Sequence, residues 1–296
     1  MRNACPMDPT ETRVTANDLD FVVLEMGKGP LALCLHGFPD SPWTWRHLLP
    51  ALANAGYRAV APYMRGYAPT AVPADANYYP AALSADACAL HEALGGDGDA
   101  VLIGHDWGAA GVWGATADAD RWRRFVAMSV PHLGSLAGLL GSFAQLKRSF
   151  YIWFFQLPIA EGVVSADDLA FIDGLWGDWV GSGYDPKEDL GHVKDCLRQP
   201  ENLAAAIGYY RDTFGFKPAA PEHERFVAAS ASPTPKPTLY LHGTADNALG
   251  IELVEGLDQF LAEGSDVTVF EGLNHFLHLE NPDSVNKRIL EFVASS

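Results

Sequence analysis

The chain has 296 residues, 48% apolar and 19% charged, a globular composition with room for one large α/β domain or a core with an insertion. Its 20 basic against 37 acidic residues leave a net charge of −17, which repels phosphate backbones and offers anionic lipid no attraction. No apolar run approaches the roughly 20 residues of a membrane span, Met1 to Asp20 lacks a signal-peptide core, and Cys5, Cys34, Cys88 and Cys196 form no CxxC pair, so a cytoplasmic protein with reduced, packing thiols is expected.

Residues 21–26 read as a strand, and 31–35 as a second, wholly apolar one, as in a sheet covered on both faces. Residues 43–54 read helical, 58–61 strand, 81–94 helical, 100–103 strand, 107–117 helical and 125–130 strand. This alternation predicts a parallel sheet flanked by helices. From 132 to 232 no strand-like run recurs; the stretch is aromatic and helix-forming, with breaks at Pro158, Gly183, Pro186 and Pro200. Strand patterns return at 238–241 and 267–270, and helical ones at 251–261 and 283–294. The expected organisation is an α/β core, 1–131 plus 233–296, interrupted by a helical lid at 132–232.

Residues 101–109, V-L-I-G-H-D-W-G-A, place G-x-D-x-G between an apolar strand and a helix of small residues. That pattern fits a nucleophile elbow with Asp106 where serine is usual. A sharp strand-to-helix turn needs Gly104 and Gly108 on either side of a strained middle residue. The bland alternative is a helix N-cap aspartate. A carboxylate is nucleophilic without an activating base, and it attacks an sp³ carbon to form an ester, which directs the chemistry to epoxides or halides.

Asp246 follows the strand at 238–241 and is the expected acid, with Glu252 and Asp258 as rivals and an Asx turn as the structural alternative. His275 follows 267–270 and is the expected base, activating water while Asp246 orients its ring; His278 competes with it. Phe38, in H-G-F-P at 36–39, and Trp107 supply candidate backbone N–H groups for an oxyanion hole, with His36 structural. No zinc motif or Cys/His ligand set occurs, so neither metal nor cofactor is expected.

H-G-F-P, the G-H-D-W-G of 104–108, Asp246 and the N-H-F of 274–276 together resemble the α/β-hydrolases of the epoxide hydrolase group, from Thr15 onward. The resemblance implies the α/β-hydrolase fold, an α/β class with a mostly parallel central sheet and an inserted lid. It implies conversion of an epoxide and water to a vicinal diol through an ester on Asp106. It further implies two lid tyrosines as proton donors to the ring oxygen. Y-I-W-F-F-Q-L-P at 151–158 maps one to Tyr151, and G-Y-Y-R at 208–211 maps the other to Tyr210, with Tyr209 as its rival. Trp153, Phe154, Phe155, Tyr209 and the Phe38 ring are expected to line the substrate pocket. Haloalkane and haloacetate dehalogenases share these motifs. Phe38 replaces their frequent Asn, and Trp107 and Tyr151-Ile152 stand where the haloacetate enzymes carry Arg and His-Trp. A dehalogenase and a non-catalytic ligand-binding member are the alternatives, and a homodimer is left open.

Overall fold

The computed structural model describes residues 8–135, 141–215 and 218–295; Cys5 and the first seven residues of the segment read for a signal peptide lie outside the described residues. Eight strands form one sheet: β1 (Thr10–Ala16), β2 (Leu19–Gly27), β3 (Leu31–Leu35), β4 (Arg58–Pro62), β5 (Val101–His105), β6 (Arg124–Met128), β7 (Thr238–Gly243) and β8 (Asp266–Phe270). Their order is β1-β2-β4-β3-β5-β6-β7-β8. β2 pairs antiparallel with both β1 and β4, and every pairing from β4 to β8 is parallel. β3 and β5 are buried along their whole length, as continuous apolar runs require in a sheet covered on both faces.

α1 (Leu48–Asn54) packs with α12 (Pro282–Ala294), while α2 (Pro80–Ala93) packs with α3 (Trp107–Ala115). Between β6 and β7 the described residues hold α4 (Phe143–Arg148), α5 (Phe150–Phe154), α6 (Ala160–Val164), α7 (Ala166–Trp179), α8 (Lys187–Leu197), α9 (Pro200–Phe214) and α10 (Glu224–Ser230), and no strand. α10 falls within 132–232 but packs on α2 and α3, against the core. Polar ties anchor the inserted helices: Arg46 pairs with Asp189 of α8, and Trp176 Nε1 donates to Pro39 O at 2.8 Å. No helix among the described residues is long and apolar enough to cross a membrane.

One strand is new and two expectations change. The polar segment Thr10–Ala16 forms edge strand β1, joined to β2 through Asn17 and Asp18 at φ 47° and 56°, the left-handed pair a tight hairpin turn requires. The helix read at 43–54 divides into a 3₁₀ turn, Pro42–Trp45, and α1. The helix read at 251–261 is two 3₁₀ turns, Ile251–Val254 and Leu257–Phe260, parted by Gly256 at φ 74°. A left-handed residue cannot continue a right-handed helix.

β5 passes into α3 through Asp106 at φ 52° and ψ −119°. A Cβ on Gly104 would lie 2.3 Å from Gly108 O, and one on Gly108 would lie 2.1 Å from Leu35 O at the end of β3. Both obstacles are backbone and cannot rotate away. Gly108→Ala is therefore expected to lower the unfolding free energy by about 3 kcal/mol, the upper end for overpacking. Urea unfolding followed by circular dichroism checks this, and a loss below about 1 kcal/mol would show that the β3 end yields.

Candidate active site

Because β3 and β5 are neighbours in register, Leu35 opposite Gly104, the loop after β3 lies beside the elbow after β5. Phe38 N–H donates to Asp106 Oδ1 at 2.7 Å. The close approach requires Gly37, whose Cβ would lie 2.3 Å from that oxygen. Asp106 occupies the N-cap position of α3, but its side chain caps nothing there. The N-cap alternative thus fails, and the carboxylate is turned outward to the Phe38 amide. The oxyanion donor expected at Phe38 is its main chain; its ring is buried edge-on to Phe155 and Tyr210.

His275 Nδ1 lies 2.9 Å from Asp246 Oδ2, and its Nε2 lies 3.6 Å from Asp106 Oδ2. Asp246 satisfies both readings given above. Its Oδ1 accepts the N–H groups of Ala248 and Leu249 at 2.8 and 2.9 Å, while Oδ2 holds the histidine. Glu252 instead pairs with Arg148. His275 is also fixed through its main chain. Its N–H donates to Trp179 O at 3.1 Å, and its carbonyl accepts from His105 Nε2 and Ser129 Oγ at 2.9 and 2.8 Å. His105 was legible only as an elbow neighbour, and Trp179 carried no signal because its partner is 96 positions away, at 275 against 179.

Burial opposes charge on His275, but Asp246 and then Asp106 outweigh it and lift the imidazole to about 10. Asp246 shows the mirror effect: burial works against its ionised form, and the facing imidazolium pulls its carboxyl below the usual range. The raised histidine contributes stability fully below its unfolded value of about 6.5 and loses it as pH rises through the folded value.

A cavity of about 480 Å³ opens over Asp106, walled by Trp107, Tyr151 and Tyr210 and extended by Trp113, Ile152 and Phe226. Asp106 is the one charged side chain among the described residues lining it. Tyr151 and Tyr210 meet edge to face with ring centroids 5.5 Å apart. Burial first, and then the charge of Asp106 among the neighbouring groups, push both phenols well above their usual value, so both stay protonated. The rival Tyr209 is corrected. It faces away and donates its hydroxyl to Arg65 O at 2.9 Å, since neighbours on α9 point about 100° apart. Trp153 lines the cavity as expected, but Phe154 and Phe155 do not. Phe154 stacks on Phe171, and Phe155 supports Phe38 and Tyr210 from behind.

His36 is structural: Nε2 accepts from Met64 N–H at 3.1 Å, and Nδ1 donates to Gly37 O at 2.9 Å. His278 does not compete with His275, because its Nε2 is engaged by Thr44 Oγ1 at 2.6 Å. Asp40, His105 and His278 are the one group found among the described residues that brings three potential metal ligands together.

Residues 30–282 match the α/β-hydrolase fold family. The sequence is 30% identical to epoxide hydrolase A of Mycobacterium tuberculosis, over 96% of this chain and 97% of that one. The chain belongs to the α/β-hydrolase family, in its epoxide hydrolase group. It is also 30% identical to epoxide hydrolase 4 of Homo sapiens, over 98% of this chain and 81% of that one. The crystal structure of epoxide hydrolase VrEH1 from Vigna radiata superposes with a TM-score of 0.79 at 27% identity, covering 97% of this α/β-hydrolase and 98% of that chain.

With two carboxylates facing one imidazole, His275 is expected to be an imidazolium at rest. In nitrogen-15 NMR its titration midpoint should lie near 10, and Asp106→Asn should move it downward by removing one of the two charges. An unchanged midpoint in that variant would show that Asp246 alone sets it.

Proposed function

We propose that this protein is an epoxide hydrolase that opens its substrate through a covalent ester on Asp106 and releases a vicinal diol. The observation that carries this reading is the division of labour on one carboxylate. Oδ1 is held by the Phe38 N–H, and Oδ2 faces His275. Oδ2 attacks a ring carbon of the epoxide, the C–O bond breaks, and the electron pair goes to the ring oxygen. Tyr151 and Tyr210, the two protonated phenols of the cavity wall, donate to that oxygen. The helices between β6 and β7 act as the lid that brings them over the elbow.

Esterification removes the charge of Asp106. The imidazolium of His275 loses one of its two supports, its pKa falls, and its proton restores the phenol that protonated the opened ring. The neutral ring then serves as base. It takes a proton from water, which attacks the ester carbonyl carbon; charge develops on Oδ1, where Phe38 N–H already sits, and Trp107 N–H at the start of α3 joins it. Collapse breaks the acyl C–O bond, the leaving oxygen takes the second proton of the water, and the diol departs, returning Asp106 as carboxylate and His275 as imidazolium. Atoms and protons balance over the cycle, and no metal or cofactor is used. The cavity, with Asp106 its one charged side chain, suits uncharged, apolar epoxides. The three buried, unpaired thiols Cys34, Cys88 and Cys196 support a cytoplasmic setting.

A single turnover in ¹⁸O-water should place the label in the Asp106 carboxylate, read by mass spectrometry of its peptide, with unlabelled diol. Label in the diol alone would mean direct attack by water. Tyr151→Phe and Tyr210→Phe should each slow ester formation by about 10- to 100-fold, and the double variant by at least about 1,000-fold. Stopped-flow tryptophan fluorescence reads this rate. Release of halide from alkyl halides that survives both changes, without diol formation from epoxides, would favour a dehalogenase.

A further inference from the structure

Asp40, His105 and His278 are each 2% exposed or less, and each offers one ligand atom within 4.8 Å of the others. Each residue also carries one atom without a hydrogen-bond partner: Asp40 Oδ2, His105 Nδ1 and His278 Nδ1. The pair closest to bonding, His105 Nδ1 and Asp40 Oδ2, is 3.8 Å apart, too far for a direct hydrogen bond. Buried polar atoms are rarely left unpaired, and three facing one another point to a shared ligand.

The other atom of each side chain is already committed, which fixes what the triangle presents. Asp40 Oδ1 accepts from Ser41 N–H at 2.8 Å. His105 Nε2 faces the His275 carbonyl at 2.9 Å, so it carries the hydrogen, and Nδ1 is the atom left to accept. His278 Nε2 meets Thr44 Oγ1 at 2.6 Å, and in the tautomer that accepts the threonine proton its Nδ1 carries the hydrogen. In that tautomer the triangle offers two acceptors and one donor. A water molecule answers that set with two donated bonds and one accepted bond.

Tetrahedral zinc with bonds of about 2.0–2.2 Å would hold its ligand atoms about 3.3–3.6 Å apart, closer than the 3.8 Å between Asp40 Oδ2 and His105 Nδ1. Hydrogen bonds of about 2.8 Å to one oxygen accommodate that pair at an angle near 86° and any separation up to 4.8 Å at an angle up to about 118°.

Each corner is also a near neighbour in the chain of a group in the catalytic centre. Asp40 lies two residues after Phe38, His105 immediately before Asp106, and His278 three residues after His275. We propose that Asp40, His105 and His278 hold one internal water that locks the oxyanion loop, the elbow and the histidine loop in register, making these three side chains positioning residues of the active site. By donating to His105 Nδ1, the water fixes the tautomer whose Nε2–H holds the His275 carbonyl. His275 acts as base only in hydrolysis of the ester, whereas ester formation relies on Asp106, held by Phe38 N–H, and the tyrosines. Loosening the triangle therefore slows the second half of the cycle. That consequence rests on the function proposed above; the water site itself does not.

Two measurements test the proposal. An atomic-resolution crystal structure of the unaltered protein should show one oxygen about 2.8 Å from all three atoms. Empty density there, or one equivalent of metal by elemental analysis, would overturn it, whether or not the protein acts on epoxides. Kinetics with styrene oxide then probe the role. His278→Phe, which fills the space without a donor, should lower kcat and KM together by at least about tenfold, with ester formation slowed by less than about threefold. His278→Asn keeps an N–H at the Nδ1 position and should recover hydrolysis to within about threefold. Equal losses in the two variants, or a rise in KM alone, would refute positioning through the water. Should the Phe variant not fold, the crystallographic result still decides the site.

Discussion

Asp106 is held at φ 52° and ψ −119°, where a non-glycine residue is strained by on the order of 1–3 kcal/mol, and the surroundings leave it no other conformation. Its N–H is bonded to Met128 O of β6 at 3.1 Å, and its carbonyl accepts from Ala110 in the first turn of α3. Behind it, Gly108 sits close enough to the Leu35 carbonyl to exclude a side chain. Strand, helix and neighbouring strand thus over-determine one residue. A relaxed turn would let the carboxylate fold back onto its own helix as a cap. The strained one turns it to the Phe38 amide and within reach of His275.

From that placement follows a row of three charges, Asp246, His275 and Asp106, buried or nearly so. A buried imidazolium is tolerated because two carboxylates flank it. The same arrangement makes the histidine responsive to the state of Asp106. While both carboxylates are charged it is held as an acid; were one of them neutralised, its preference would shift toward the free base. A single rigid site can therefore present opposite proton-transfer roles in the two halves of a reaction, with no rearrangement of its backbone.

The aromatic wall opposite the elbow depends on packing rather than on hydrogen bonding. Phe155 supports both Phe38 and Tyr210 edge to face, so one ring braces the loop after β3 and a tyrosine of the cavity wall together. Trp107 meets Tyr210 at 5.0 Å between centroids. The aromatic side chains expected at the pocket divide into those that line the cavity, such as Trp153, and those that hold its walls in place, such as Phe155.

Features decided by local chain chemistry were legible in the sequence. Gly104 and Gly108 mark a turn that only glycines permit, the continuous apolar runs of β3 and β5 mark a doubly covered parallel sheet, and loops just past parallel strands hold Asp246 and His275. The polar edge strand β1 was not legible, because an edge needs no apolar alternation, and the left-handed Gly256 hid inside a helical pattern. Whether Tyr209 or Tyr210 faces Asp106 depends on how α9 is rotated against the core, and adjacent residues on a helix differ by about 100°. The meeting of Asp40, His105 and His278 joins positions as far apart as 40 and 278. The sequence by itself determined which strand ends present Asp106, Asp246 and His275, since turns and periodicity act over a few residues. Only the tertiary structure decided which side chains meet, since that depends on the packing of segments distant in the chain.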